Sequence, residues 1–320
     1  MKNIDKNLKW NTILSKDINY ITENCKKELE KLSKKKILFT GGGGFLGYYF
    51  THVVCNWNNL YNNKKIDYTF IDIKPVEILD WKKCINKKNK IAFLKKNINK
   101  VNNKFLDKFD VIIHGASIAS PSYYRKRPID TMKANILGLW KILNYFEKST
   151  LKKNKNKTLL FFSSSEVYGD PDKKNIPTDE NYFGNVSFFG PRSCYDESKR
   201  FGETLILNYS AVYKFRSIIV RPFNNYGPGM SLNDKRVVPD LFKNIVNNQN
   251  IKLFSNGKPT RTFCYISDAI KGYIKALVNG KTQNAYNIGS NKPEISILDL
   301  SKLVVKLSKN LNDYKKKIIF

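Results

Sequence analysis

The run Lys36-Ile-Leu-Phe-Thr-Gly-Gly-Gly-Gly-Phe-Leu-Gly47 constrains this chain more than any other stretch, because it joins a short apolar strand to a glycine-dense turn and then to a helix. Glycines at 41, 44 and 47 let the backbone turn tightly, let a pyrophosphate approach with no Cβ in its path, and let the helix pack on its strand. The free N–H groups of the helix start then face the phosphates. Asp72 closes the second strand, about 25 residues beyond Gly47, where a carboxylate hydrogen-bonds an adenosine ribose and repels a 2′-phosphate. The expected cofactor is therefore NAD rather than NADP. Far downstream, Tyr195 and Lys199 stand four residues apart on one helix face.

From Lys36 onward, short β-rich runs alternate with helical patterns. Strands are expected at Ile37 to Thr40, Tyr68 to Asp72, Ile91 to Leu94, Val111 to His114, Leu159 to Ser163 and Ser217 to Arg221, with helices at Phe45 to Trp57, Ile129 to Phe146 and Pro191 to Tyr213. That rhythm predicts an α/β fold, a Rossmann-type doubly wound parallel sheet. After Pro222 the elements shorten (Val237 to Asn247, Ile251 to Phe254, Asp268 to Val278, Ala285 to Ile288, Ile297 to Leu307), as in a smaller C-terminal α/β substrate lobe. Leu14, Ile18, Ile21, Cys25, Leu29 and Leu32 recur at spacings of three and four, predicting one amphipathic helix over residues 13–32. The expected division is a helical extension (1–33), a dinucleotide-binding domain (34–222) and a substrate lobe (223–320).

At 320 residues and 41% apolar, the chain can bury a large core. It has no run of about 18 apolar residues, and its first residues, Met1-Lys-Asn-Ile-Asp-Lys, lack the apolar segment of a secretory signal. A cytosolic protein with no membrane partner is expected. The cysteines at 25, 55, 84, 194 and 264 are odd in number and scattered, which argues against a disulfide framework or a metal knuckle. The formal charge of +30 raises nucleic-acid binding. The lysines, however, are spread over the chain and interleaved with asparagine, and no arginine-rich arm or aromatic RNA-binding strand pattern accompanies them. They read as solvated faces that would also draw in a polyanionic small substrate, and no nucleic-acid partner is expected.

The run Phe162-Ser-Ser-Ser-Glu-Val-Tyr-Gly-Asp-Pro171 follows an apolar strand, so its hydroxyls and Glu166 should emerge at the carboxyl edge of the sheet, where open α/β sheets bind ligands. With Tyr195 and Lys199 it supplies the hydroxyl, phenol and ammonium needed to move a proton off an alcohol while a hydride leaves its carbon. A free phenol, with a pKa near ~10, is a poor base at neutral pH, so a nearby Lys⁺ and a positive nicotinamide must favour the phenolate.

The sequence blocks SSSEVYGDP, GPRSCYDESKR, RPFNNYGPGM, Arg236-Val-Val and TRTFCYISDA occur in order, and with the glycine turn they resemble the extended short-chain dehydrogenase/reductases that act on nucleotide sugars. The resemblance runs from about Lys34 to about Ser308 and is nearest to the UDP-glucuronate decarboxylases (UDP-xylose synthases). It implies that Ser164 hydrogen-bonds the reacting O4, that Tyr195 is the acid/base, and that Lys199 holds the cofactor ribose. Ser165, Glu166 and Arg261 complete the implied catalytic set. Further implied cofactor contacts are Phe45, Leu46, Asn97, Ile98, Ala116, Ser117 and Asn135. Ser120, Asn224, Arg236, Val237 and Arg261 are implied substrate contacts, and a homodimer built from the helices near 129–146 and 191–213 is implied by analogy. Sugar 4,6-dehydratases resemble this strand end but carry an aspartic acid where Ser165 stands, and serine is too weak an acid to expel a C6 hydroxyl. In 4-epimerases the Glu166 position is commonly small or hydroxylic. Decarboxylation of UDP-glucuronate is therefore the leading expectation, a 4,6-dehydratase or 4-epimerase the first alternative, and a non-catalytic NAD-binding or basic interaction protein the alternative of another class.

Two departures from the pattern stand out. Asn97-Ile98 replaces the usual Asp-Ile or Asp-Val at the adenine site, where an amide still donates and accepts. Similar proteins continue past the last helix into a short strand and an Arg-Pro-Asp segment, whereas this sequence ends at Lys316-Lys-Ile-Ile-Phe320, so part of the substrate lobe is expected to be missing. His114 is read as a packed strand-end residue, and Arg125 and Arg127 as surface charges.

Overall fold

The structure, a computed structural model, describes residues 6–74, 79–151, 157–253, 255–312 and 317–319. In chain order its elements are α1 (Lys6–Asn24), α2 (Lys26–Leu32), β1 (Lys36–Thr40), α3 (Phe45–Leu60), β2 (Asp67–Asp72), α4 (Leu79–Cys84), β3 (Ile91–Lys95), α5 (Asn103–Leu106), β4 (Val111–His114), α6 (Pro121–Lys126), α7 (Pro128–Leu151) and β5 (Thr158–Phe162). There follow α8 (Ser193–Tyr213), β6 (Arg216–Pro222), β7 (Asn225–Tyr226), α9 (Val237–Val246), β8 (Ile251–Lys252), β9 (Thr260–Arg261), β10 (Cys264–Tyr265), α10 (Ile266–Asn279), β11 (Asn284–Ile288), β12 (Ile295–Ser296), α11 (Ile297–Asn312) and β13 (Ile318–Ile319).

Seven parallel strands form the central sheet in the order β11-β6-β5-β4-β1-β2-β3. The strands read as continuous apolar runs because both faces are covered, yet within each run alternate residues serve opposite layers. Ile37, Phe39, Val111, Ile113, Leu160, Phe162, Ile218 and Val220 pack with α1, α2, α3 and α10. Leu38, Ile112, Leu159, Phe161 and Ile219 pack with α7 and α8. A third, smaller core joins α9, β8, α11 and β13 through Leu241, Ile245, Ile251, Leu253 and Val304.

Three departures from the sequence expectation have physical causes. The helix expected over residues 13–32 is two helices, broken at Cys25 (φ −116°, ψ 18°), whose thiol reaches the Lys271 carbonyl at 3.8 Å. The expected apolar face is buried all the same. Residues after 222 do not all build the small lobe, since β11 pairs with β6 at the sheet edge and α10 covers the same face as α3. Finally, the short strand expected to be lacking is present: Ile318 and Ile319 pair in parallel with Ile251 and Lys252. Phe254, the expected end of the 251–254 strand, lies outside the described residues.

Candidate active site

Strand order reverses between β1 and β4, and the crevice beyond their carboxyl ends is where a doubly wound sheet takes its ligand. Three of the turn glycines there meet different demands. Gly41 has a φ of +73°, and a Cβ on it would lie 2.5 Å from the Ala116 Cα, so the turn after β1 lies against the segment after β4. A Cβ on Gly47 would strike the Gly42 carbonyl oxygen at 2.1 Å, so this glycine lets α3 pack on the turn. At Gly44 a Cβ would meet only the Gly41 carbonyl oxygen, at 3.5 Å. The protein itself leaves that side open, as a pyrophosphate requires. Phe45 and Leu46 follow in the first turn of α3.

Asp72 accepts hydrogen bonds from the Gly43 N–H (2.9 Å) and the Lys74 N–H (3.0 Å), which hold its carboxylate beside the turn. Asn97 caps a short 3₁₀ turn by accepting from the Asn99 N–H at 2.9 Å, and Ile98 is buried against Gly138. Among the described residues, Ser117 Oγ and Asn135 Oδ1 are buried with no partner, although the Asn135 amide donates to Ser198 Oγ at 2.7 Å. Polar atoms so placed in the crevice wall suit a polar ligand such as a dinucleotide, because an unpaired buried acceptor costs free energy that a ligand contact recovers. The residues present thus fit NAD.

Ser164 follows β5 and starts the 3₁₀ turn Ser165–Tyr168, its Oγ accepting from the Glu166 N–H at 3.2 Å. Tyr195, in the first turn of α8, is buried with its phenol hydrogen-bonded to Ser164. Burial raises the phenol above its ordinary range, and the Ser164 hydrogen bond and the Arg236 charge oppose that rise. Arg236 thus joins Lys199 as a cation near Tyr195. Lys199 is fully enclosed, donates to the Phe162 carbonyl at 2.7 Å, and lies 5.7 Å from the Tyr195 ring centre. Burial pulls its ammonium down to about 7, with the Glu203 carboxylate working the other way.

The other expected residues divide between two walls. Ser120 donates from Oγ to the Asp234 carbonyl, and Asp234 holds Arg236 through two contacts of 2.6 and 2.8 Å. Arg236 precedes Val237, the first residue of α9, so this wall joins α6 to the lobe. Asn224, at a φ of +38°, donates from its amide to the Thr262 carbonyl at 2.9 Å. Arg261 is exposed on β9, and its guanidinium turns to the Thr260 carbonyl at 2.7 Å. The Glu166 carboxylate is paired with Arg192.

Arg192, Tyr124, Glu203 and Arg221 were not singled out from the sequence. Arg192 sits three residues before Tyr195 and contacts Asp196 at 3.4 Å, while the Tyr124 ring lies on the Tyr195 ring. Glu203 takes two hydrogen bonds from Arg221 (2.9 and 2.6 Å) and one from Ser163 Oγ, and Arg221 reaches the Tyr168 hydroxyl at 2.6 Å. A signal existed for Glu203, which continues the four-residue spacing of Tyr195 and Lys199 on one helix face. His114 is buried, its Nδ1 2.6 Å from Thr40 Oγ1. Burial and the nearby Lys199 charge bring it down to about 3, so it is neutral near pH 7 and packs as expected.

Residues 37–289 match the model of the NAD dependent epimerase/dehydratase family. The chain is 33% identical over 286 residues to UDP-glucuronic acid decarboxylase 1 of Xenopus tropicalis, covering 88% of this chain and 62% of that protein. It is 34% identical over 279 residues to UDP-glucuronic acid decarboxylase 6 of Arabidopsis thaliana, covering 87% of this chain and 75% of that one. Among solved structures, an epimerase of Methanothermobacter thermautotrophicus superposes with a TM-score of 0.73 at 21% identity, over 92% of this chain and 81% of that one, a likeness of fold. Among the described residues, no helix is long and apolar enough to cross a membrane.

Proposed function

The chain belongs to the NAD-dependent epimerase/dehydratase family, with NAD as its cofactor, and from that premise we propose that it decarboxylates UDP-glucuronate to UDP-xylose through a 4-keto sugar. One observation carries the reading. The phenol of Tyr195 is hydrogen-bonded to Ser164, and the strand end continues with Ser165 and Glu166 rather than with an acid directly beside Ser164. The curated relatives named as UDP-glucuronic acid decarboxylases support it.

Bound NAD supplies a reversible two-electron acceptor for the sugar's C4. Tyr195 Oη takes the O4 proton, and Ser164 Oγ holds that oxygen in place. Once C4 is a ketone, the C5 carboxylate belongs to a β-keto acid and leaves as carbon dioxide, while Tyr195 and Ser164 donate hydrogen bonds to the charge developing on O4. A proton returns to C5 from the polar wall of Glu166 and Arg192, and when the two electrons held in reserve go back to C4, Tyr195 Oη returns its proton to O4, so that the reaction has no net redox change. The turn from Gly41 to Gly47 holds the pyrophosphate, Asp72 the adenosine ribose, Asn97 and Ile98 the adenine, and Lys199 the second ribose. Ala116, Ser117 and Asn135 flank the nicotinamide. Ser120, Asn224, Arg236, Val237 and Arg261 bind the sugar nucleotide.

The deciding experiment offers purified protein and NAD three substrates: UDP-glucuronate, dTDP-glucose and UDP-glucose. Carbon dioxide and a UDP-pentose are expected from the first. A 4-keto-6-deoxy sugar from the second, or a 4-epimer from the third, with no carbon dioxide from the first, would replace the proposal by a dehydratase or an epimerase. A homodimer through α7 and α8 is part of the same proposal. Its support is the exposed Ile129, Leu137 and Trp140 of α7 with Phe201 and Leu207 of α8. A monomer in sedimentation at micromolar concentration would remove it.

A further inference from the structure

Away from the crevice, α3 and α4 meet at two sulfurs. Cys55 lies in α3, one turn beyond His52, and Cys84 ends α4. The Cys84 thiol is hydrogen-bonded to the Cys55 sulfur. Asn89 clasps both, its buried amide nitrogen reaching Cys55 Sγ at 3.4 Å and the Cys84 carbonyl at 3.3 Å. Asn89 is itself held through its carbonyl, which accepts from the Asn58 amide at 2.6 Å. Asn59 adds a further donor to Cys55 Sγ at 3.8 Å. On the other side, Cys84 Sγ stands 3.5 Å from His52 Nδ1. Three donors thus converge on one sulfur, and an imidazole nitrogen faces its neighbour.

We propose that Cys55 and Cys84 are a redox pair, a site of reversible modification that a peroxide closes to a disulfide. The proposal goes beyond the reaction proposed above and is independent of it. Partly buried Cys55 attacks first and buried Cys84 resolves. The Cys55 thiolate attacks one peroxide oxygen, the O–O bond breaks, and hydroxide leaves as water after taking a proton, giving a sulfenic acid. Cys84 passes its proton to His52 and attacks the Cys55 sulfur. The S–O bond breaks, and the departing hydroxide takes the proton from His52. Two thiols and one peroxide become one disulfide and two waters.

The surroundings distinguish this pair from the other cysteines. The Cys84 hydrogen bond, followed by that from Asn59, outweighs burial and holds the Cys55 thiol below its ordinary pKa. Burial pushes Cys25 and Cys264 up to about 11, which leaves them as thiols. Cys55 therefore forms thiolate more readily than Cys25 and Cys264 and is oxidised ahead of them.

The test uses the full chain, exposed to hydrogen peroxide, alkylated without reduction, digested and mapped by mass spectrometry. A linked Cys55–Cys84 peptide pair is expected, with loss of two of the five thiols that dithiothreitol restores. Cys84→Ala should leave Cys55 as a sulfenic acid trapped by dimedone, and Cys55→Ala should yield neither product. Retention of both thiols under peroxide, or oxidation of Cys25, Cys194 or Cys264 ahead of them, overturns the proposal. Peptide mapping of the unaltered protein decides the matter even where a variant does not fold.

Discussion

The rings of Tyr124 and Tyr195 stack, with centroids 5.0 Å and planes 12° apart. The stack fixes the phenol plane from α6 while Ser164 fixes its oxygen from the end of β5. Tyr195→Phe keeps the ring and removes only the proton carrier. Turnover should fall by about 10²–10⁴ with an unchanged melting temperature. Tyr124→Leu should lower turnover by a smaller factor while leaving NAD affinity alone. Equal effects of the two substitutions on turnover would deny Tyr195 a proton-transfer role.

Gly44 and Gly47 should respond oppositely to the same added methyl group. In Gly47→Ala the Cβ meets a backbone oxygen at 2.1 Å, so the helix must shift and stability should fall by about 1–3 kcal/mol. Gly44→Ala has room within the protein and should cost less than about 1 kcal/mol. Its NAD affinity should nevertheless drop tenfold or more, roughly 1.4 kcal/mol. Denaturant melts alongside cofactor titrations separate the two, and a Gly44→Ala protein that binds NAD normally would show that the pyrophosphate lies elsewhere.

Stability should rise with pH in two windows. The folded protein keeps His114 neutral down to about 3, while the unfolded chain protonates it near its ordinary 6.5. Between those values the unfolded state holds more protons, so stability is lost as the pH falls from 6.5. Lys199 acts in the same sense between about 7 and its ordinary 10.5, because burial depresses its folded value. Urea midpoints should therefore climb from pH 5 to pH 9. His114→Gln should flatten the lower part of the curve and Lys199→Met the upper. Unaltered slopes in these variants would place the linkage on other groups.

Glu203→Gln should be among the most damaging isosteric changes, because it leaves the Arg221 guanidinium without its bidentate carboxylate in a nearly enclosed site. Removing one partner of such a pair costs about 3–5 kcal/mol. Replacing both Glu203 and Arg221 by methionine should recover part of that loss. Chemical denaturation of the two variants makes the comparison, and a double replacement no better than the single one would show that the charges do not act as a pair.

Much of the frame was readable because local pattern and final environment agree. Ile37 to Thr40, Val111 to His114 and Ser217 to Arg221 are apolar runs between turn signals, and each is a central strand. The glycine turn lies at the reversal of strand order because the chain passes through it on leaving β1. What escaped notice depends on partners far apart in sequence. Nothing near Ala285 says that it will pair with Ile219, and nothing near Glu166 says that Arg192 will reach its carboxylate. Lys199 illustrates the same limit: its position was evident, but its hydrogen bond to Phe162 and the charge of Arg236 beside Tyr195 arise only when separate elements meet.

Asp17 accepts from the Tyr49 and Tyr265 hydroxyls, each at 3.0 Å, and so rivets α1 to α3 and to the start of α10. Trimming the protein back to residue 37, where the match to the family model begins, would strip this cover and bare two phenols together with an oily stripe on the rear of the sheet. An expression clone cut at that point should aggregate, whereas one retaining the leading helices keeps the shell sealed.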